Sequence, residues 1–332
     1  MRDSERAESA LYNHTDQLLK GHEALLRDTE RNASLYRALE KTVNKESAVL
    51  DIGSGTGVWA VAAAQMGAKR VVAIEQEPLL IDVIKRLATN NGVAGRVQVI
   101  QGDSRQIELD QEFDVVISET IGHLVFDESI VSIMIDARKR FLKPAGILIP
   151  ESVALMVAGA HLEDENQELP LGIPLAHADF QSLALNIPIG LNDRSRLKIL
   201  TPPRELIHAD FRSVEKTLDL GKMTARWESA DLGRLNCFAV WAEVALTTGI
   251  TITTRETTSW VLMVYRIKPF KQDRGELEFV LALTNKSNYW DVKVTRNGEA
   301  EAKSYSPALA ATELLARTRT AECVWQMRKG SE

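Results

Sequence analysis

Residues 118 to 129 read Ser-Glu-Thr-Ile-Gly-His-Leu-Val-Phe-Asp-Glu-Ser, which sets Glu119 and Glu128 on one short loop. Two like charges held in one pocket would force one carboxyl to keep a proton, so a pair kept ionised at neutral pH implies a permanently charged guest. A guanidinium fits best, because it is planar, always protonated and presents a fork of N–H donors that two carboxylates can share. Alone, two loop glutamates read most simply as solvated residues. What changes that reading is the glycine-rich loop upstream, Val49-Leu-Asp-Ile-Gly-Ser-Gly-Thr-Gly57, directly after a hydrophobic run. Glycines there let a backbone turn tightly and approach a ligand that a Cβ would repel.

The elements that must carry these residues follow from periodicity. Leu18, Leu19, Leu25 and Leu26, then Leu35, Leu39 and Val43, predict two helices before residue 45. From Ser47 short apolar strands alternate with helices: strands at Ala48–Asp51, Arg70–Glu75, Arg96–Ile100, Phe113–Ser118 and Gly146–Ile149, and helices at 58–66, 79–90 and about 129–141. That alternation predicts a parallel sheet covered on both faces. After Pro150 the segments Ser152–Ala160, Asn236–Thr247, Ser259–Ile267, Glu276–Thr284 and Tyr289–Val294 alternate as half-buried antiparallel strands do. Residues 163 to 207, with five prolines from Pro170 to Pro203, predict an excursion from that β-domain.

Glu75 closes the second strand and suits a ribose diol, and Asp103 follows the third, near an adenine edge. Acids and glycines at successive strand C-termini are where open α/β sheets bind ligands. The G-x-G-x-G spacing after Asp51 departs from the dinucleotide pattern G-x-G-x-x-G. It resembles class I methyltransferases that use S-adenosylmethionine (SAM) more than nicotinamide dehydrogenases.

With 332 residues, a net charge of -6 and a pI near 5.7, the chain has room for two domains and lacks the basic face of a sequence-independent nucleic-acid binder. There is no long apolar run, and the first thirty residues are too charged for a secretory signal, so the expectation is a cytoplasmic protein. Cys237 and Cys323, like His14, His22 and His123, have no metal-ligand spacing, and no metal is expected.

Taken together, the chain resembles the protein arginine methyltransferases from about residue 11 to 296. The resemblance rests on His22-Glu-Ala-Leu-Leu-Arg-Asp28 with Arg31, on Asp51-Ile-Gly-Ser-Gly-Thr-Gly57 and Glu75, and on Ser118-Glu119 with nine residues to Glu128. It rests also on Phe141-Leu-Lys-Pro-Ala-Gly-Ile-Leu-Ile-Pro150 and Thr258-Ser-Trp260. It implies helices over 1–45 that close on the cofactor, a SAM-binding Rossmann-like domain over 46–150, and an antiparallel β-barrel over 151–332. It further implies a dimerisation arm at about 170–207 and hence a homodimer. The implied activity is methylation of a guanidino nitrogen in a protein, a peptide or a small molecule such as free arginine. Carried over by position, Arg31 would pair with the methionine carboxylate. Asp51, Gly53, Gly55, Gly57 and Glu75 would build the cofactor site, with Asp103 and Ser104 facing the adenine. Glu119 and Glu128 would clamp the guanidinium, and Tyr12, Asp16, His123 and Trp260 would meet the acceptor.

The departures cluster on the acceptor side. Ser259 stands where the family has a histidine that pairs with the counterpart of Asp28, and Asn13 and Asp16 replace aromatics. Thr120, Ile121 and His123 replace tryptophan, methionine and tyrosine, and Arg105 replaces a glutamate that often contacts adenine. A catalytically silent SAM-binding dimer, or a methyltransferase for another metabolite, are the alternatives these losses leave open.

Overall fold

A computed structural model describes residues 2–122, 124–126, 129–163, 183–283 and 288–307. The chain forms two compact units, the first comprising Met1–Ala154, His208–Leu218 and Ala242–Val261, the second Leu155–Ile207, Asp219–Trp241 and Leu262–Glu332.

The first unit opens with helices α1 (Arg2–Arg27) and α2 (Thr29–Thr42). Asp28 separates them by capping α2, its carboxylate accepting the Arg31 N–H at 3.1 Å. Then come β1 (Ala48–Ile52), α3 (Val58–Gln65), β2 (Arg70–Glu75), α4 (Pro78–Asn90), β3 (Val97–Gln101), β4 (Phe113–Ser118), α5 (Ile130–Arg140) and β5 (Leu142–Ile149). The five strands form a parallel sheet in the order β3-β2-β1-β4-β5. Strands β1, β2 and β4 are almost wholly buried, which is why they read as continuous apolar runs rather than alternations. Helix α3 is buried from Trp59 to Ala64, and its four alanines let it lie close against the sheet. Helix α4 buries the stripe Leu80, Ile81, Ile84 and Ala88, and starts on Pro78 with Glu77 as its cap.

The order reverses at β1, with β2 on one side and β4 on the other, so the C-terminal ends of these strands open the crevice where doubly wound sheets bind ligands. Within the same unit Arg138, near the end of α5, donates to the Phe211 and Val214 carbonyls and to Glu215, tying down the segment 208–218.

The second unit is antiparallel, built from most of β6 (Ser152–Leu162), β7 (Ile189–Leu191), β8 (Leu197–Ile199), part of β9 (Arg204–Asp210), β10 (Met223–Asp231) and the first half of β11 (Cys237–Thr247). The rest of β11 pairs with β12 (Ile250–Thr253) in the first unit. The chain then adds β13 (Leu262–Arg266), β14 (Arg274–Leu283), β15 (Asn288–Arg296) and β16 (Glu299–Tyr305). One curled sheet runs β7-β13-β11-β6-β8 and a second runs β10-β14-β15-β16. Phe238 stacks on Phe279 with ring centroids 4.3 Å apart, and Tyr265 meets Trp290 edge-on at 5.0 Å, closing an aromatic core.

The fold class matches the expectation: a Rossmann-like α/β sheet followed by an antiparallel barrel-type domain. Several elements differ. The strand expected over Ser259–Ile267 begins only at Leu262, because Thr258 and Ser259 are held in a loop. Strands β10 and β16 were not foreseen, and in β16 the less exposed positions are Glu301, Lys303 and Tyr305, two of them charged, so no apolar alternation marks that face. Of the expected arm, 170–182 lies outside the described residues, and 183–207 forms short strands and single 3₁₀ turns.

Candidate active site

The β1–α3 turn sets the floor of a cavity. Gly53, Gly55 and Gly57 have φ of 68°, 56° and 81°, a region where a side chain is strained. Space forbids one too: a Cβ on Gly53 would fall 2.6 Å from Thr120 and one on Gly55 2.8 Å from His22. The turn is anchored to β2 by the Gly53 N–H on the Ile74 carbonyl at 2.9 Å and the Gly55 N–H on Glu75 Oε2 at 2.7 Å. Glu75 takes a second N–H, from Glu77, on Oε1 at 2.8 Å. Each of its oxygens therefore keeps one lone pair that these two bonds do not use.

Around this floor lies a cavity of about 900 Å³, walled by α1 through Leu18, Gly21, His22 and Leu25, by Arg31, by the glycine turn with Glu75, by the 102–105 turn, and by Glu119 and Thr120. Burial lowers the His22 pKa from its ordinary value, Glu75 opposing this and Arg31 adding to it, so the imidazole in this wall is the neutral form.

Arg31 and Glu119, 3% and 11% exposed, form an ion pair across the cavity wall. The Arg31 guanidinium carbon sits 5.3 Å from the centre of the Trp260 ring, and Nη1 donates to Asn32 at 2.8 Å. Its Nε–H has no partner among the described residues. An orphaned buried donor costs about 1–3 kcal/mol, which an anionic guest would recover.

Asp28, 1% exposed, is the joint behind this pair. Oδ1 caps α2, while Oδ2 accepts the Thr258 N–H at 2.8 Å, the Ser259 N–H at 2.8 Å and the Ser259 hydroxyl at 2.7 Å. Burial pushes its carboxyl up, but these donors, the Ser259 hydroxyl foremost, more than offset that and hold it below the usual range. Ser259, standing where the resemblance expects a histidine, thus meets Asp28 through neutral donors only. The sequence signalled this joint only as a missing residue.

Other expected site residues divide. Glu75, Gly53, Gly55, Asp103, Ser104, Arg31 and Glu119 all line the cavity. Asp51 and Gly57 do not. Strand alternation turns Asp51 away from the ligand face, to accept the Ala60 N–H at 3.1 Å, and desolvation raises its pKa to about 7. Gly57 caps α3 and faces Ile84. Tyr12 and Asp16 are not brought to this cavity: Tyr12 is 70% exposed, and Asp16 pairs with Lys20 one turn along α1 at 2.7 Å. At 100° per residue Asp16 falls on the opposite side of the helix from Leu18. Trp260, expected at the acceptor, is 2% exposed and packs in the core under Arg31. Glu128 and His123 lie outside the described residues. Among the described residues no group of three His, Cys, Asp or Glu is placed to hold a metal, and no helix is long and apolar enough to cross a membrane.

A parallel sheet reversing at β1, a glycine turn under a buried arginine, and acids at the ends of β2 and β3 define the class I methyltransferase fold. Comparison with known proteins narrows this. A family model described as ribosomal protein L11 methyltransferase matches residues 32–153. The chain is 28% identical over 235 residues to the probable protein arginine N-methyltransferase 6 of Arabidopsis thaliana, covering 67% of this chain and 53% of that protein. It is 29% identical over 240 residues to the arginine N(omega)-methyltransferase of Streptomyces achromogenes subsp. streptozoticus, covering 70% and 65%. Among solved structures, Arabidopsis thaliana protein arginine methyltransferase 10 superposes with a TM-score of 0.70 at 20% identity, over 86% of this chain and 97% of that one. The Trypanosoma brucei PRMT1 enzyme-prozyme complex with AdoHcy gives 0.67 at 21%, over 86% and 97%. The chain is therefore similar to protein arginine N-methyltransferases in sequence and shares their fold, and its alignments span between half and two thirds of the length of the curated relatives named here.

Proposed function

We propose that this chain is a SAM-dependent N-methyltransferase that methylates a guanidino nitrogen of arginine. The observation that carries the reading is a buried Arg31 with an unpaired Nε–H in the wall of a cavity that also holds Glu75 and Glu119. The residues fit an adenosyl cofactor. Glu75, with one lone pair left on each oxygen, suits a vicinal diol; Arg31 supplies a donor to a carboxylate; the glycine turn leaves its backbone bare. When bound, SAM supplies a methyl group already activated on a sulfonium.

The chain's own work is on the acceptor. A guanidinium lacks a nucleophilic lone pair because its charge is delocalised. Glu119 and Glu128, clamping two of its edges, would localise that charge away from one terminal nitrogen and aim this nitrogen at the methyl carbon, so that positioning supplies much of the rate. On transfer of the methyl from the sulfonium to that nitrogen, the surplus proton would leave the nitrogen for a carboxylate, which we assign to Glu128. For Glu119 to take part it must exchange Arg31 for the acceptor, and the exchange becomes possible when a ligand carboxylate takes over Arg31. The acceptor is an arginine side chain of a protein or peptide, or free arginine. The protein is expected to act as a cytoplasmic homodimer built through the arm at about 170–207, with domains near 1–45, 46–150 and 151–332.

The test is transfer of labelled methyl from SAM to free arginine, an arginine-rich peptide and a lysine control, with wild type and Glu128→Gln in parallel. Label on arginine acceptors alone, lost in the variant, supports the reading. The Arg31–Glu119 pair also favours a second one, a silent SAM-binding protein whose clamp is permanently occupied. Calorimetric SAM binding with no label in any acceptor would support that instead.

A further inference from the structure

The 102–107 turn at the end of β3 is built more rigidly than a surface turn requires. Arg105 holds Asp103 by three bonds: its backbone N–H and Nε both reach Oδ1 at 3.0 Å, and Nη2 reaches Oδ2 at 2.7 Å. Beneath the turn Arg140 donates to the Ser104 carbonyl at 2.7 Å and the Ile107 carbonyl at 2.8 Å, itself fixed by two bonds to Asp136. Asp103, Ser104 and Arg105 all face the cavity.

We propose that Arg105 is a specificity-determining residue for the nucleobase, because it holds Asp103 so that a single acceptor position is left and that position reads an exocyclic amino group. The inference rests on the adenosyl-cofactor reading above. A carboxylate offers about four lone-pair positions, two on each oxygen. Oδ1 has both filled by Arg105, and Oδ2 has one filled, leaving one. The Arg105 guanidinium keeps the Asp103 carboxyl below its usual range, so the group stays ionised and can only accept. A 6-aminopurine presents a donor at that edge; a 6-oxopurine presents an oxygen, which would lie against the carboxylate with no proton between them. Lysine could not replace Arg105, since one ammonium cannot bridge both oxygens in plane.

The test is calorimetric binding of S-adenosylhomocysteine and its deaminated 6-oxo analogue to the full chain, as wild type, Arg105→Ala, Arg105→Lys and Asp103→Asn. The wild type is expected to prefer the amino compound by on the order of tenfold or more. Arg105→Ala and Arg105→Lys are expected to keep binding S-adenosylhomocysteine with that ratio reduced several-fold. Asp103→Asn, which can turn an N–H toward the 6-oxo group, should bring the ratio close to one. A wild-type ratio near one, or an unchanged ratio in Arg105→Ala, overturns the proposal. No binding of S-adenosylhomocysteine by the wild type would instead overturn the cofactor reading beneath it.

Discussion

Replacing Asp28 by Asn is expected to cost the protein about 3 kcal/mol, although the change is a single atom. Oδ2 carries three donors, from Thr258 N, Ser259 N and Ser259 Oγ, and Oδ1 carries the Arg31 N–H that starts α2. An asparagine must keep its oxygen on the three-donor side, which leaves its NH₂ facing the Arg31 N–H, donor against donor. Losing the helix cap costs about 1 kcal/mol. Three bonds that fall from charge-assisted to neutral lose roughly 0.5–1 kcal/mol each. Ser259→Ala removes one hydroxyl bond to the same oxygen and is expected to cost about 1–2 kcal/mol. Because both changes act on one carboxylate, the double variant should lose less than the sum of the two. Denaturant unfolding of the four proteins, compared at equal m-values, measures this. An Asp28→Asn cost below about 0.5 kcal/mol, or strict additivity with Ser259→Ala, would refute the reasoning. The sign with pH follows: the Asp28 pKa is depressed in the folded state, so the stability it provides is present above the ordinary carboxylate range and is lost as pH falls below it.

Asp51 behaves in the opposite sense. Its folded pKa of about 7 lies above the unfolded value of 3.8, so its contribution is complete below pH 3.8 and is lost as pH rises to 7, by at most about 4 kcal/mol; Asp51→Asn should flatten that slope in a pH series of unfolding curves. Glu119→Gln removes the counter-charge that competes for Arg31, so turnover should vanish while S-adenosylhomocysteine binds several-fold tighter; weaker binding by calorimetry would argue against the pair as a competitor. Arg138→Met strips three bonds from residues 211–215 and is expected to cost about 2–4 kcal/mol, with faster amide exchange across 208–218.

The parallel sheet was legible because its strands are buried on both faces and so read as apolar runs, and the glycine turn was legible because a positive φ is a local property of three residues. Glu75 ends β2 and Asp103 lies two residues past β3, and both line the cavity, because parallel strands open their C-terminal ends on one side of the sheet. Strand β16 was not legible, because the charged Glu301 and Lys303 share its less exposed face with Tyr305 and break the apolar alternation, and the side taken by Asp51 was not legible because one step of alternation separates the cavity face from the one that meets Ala60 of α3.

The amino-acid sequence by itself determined the class of fold, the turn beneath the cavity and the set of charged residues brought to strand ends. Only the tertiary structure decided how those charges pair. Ser259 meets Asp28 across 231 positions, and Arg31, counted as a cofactor residue, meets Glu119, counted as an acceptor residue. Local pattern cannot reveal such partners, because a buried charge takes whichever opposite group the packed chain brings within reach, and that reach is set by the whole fold.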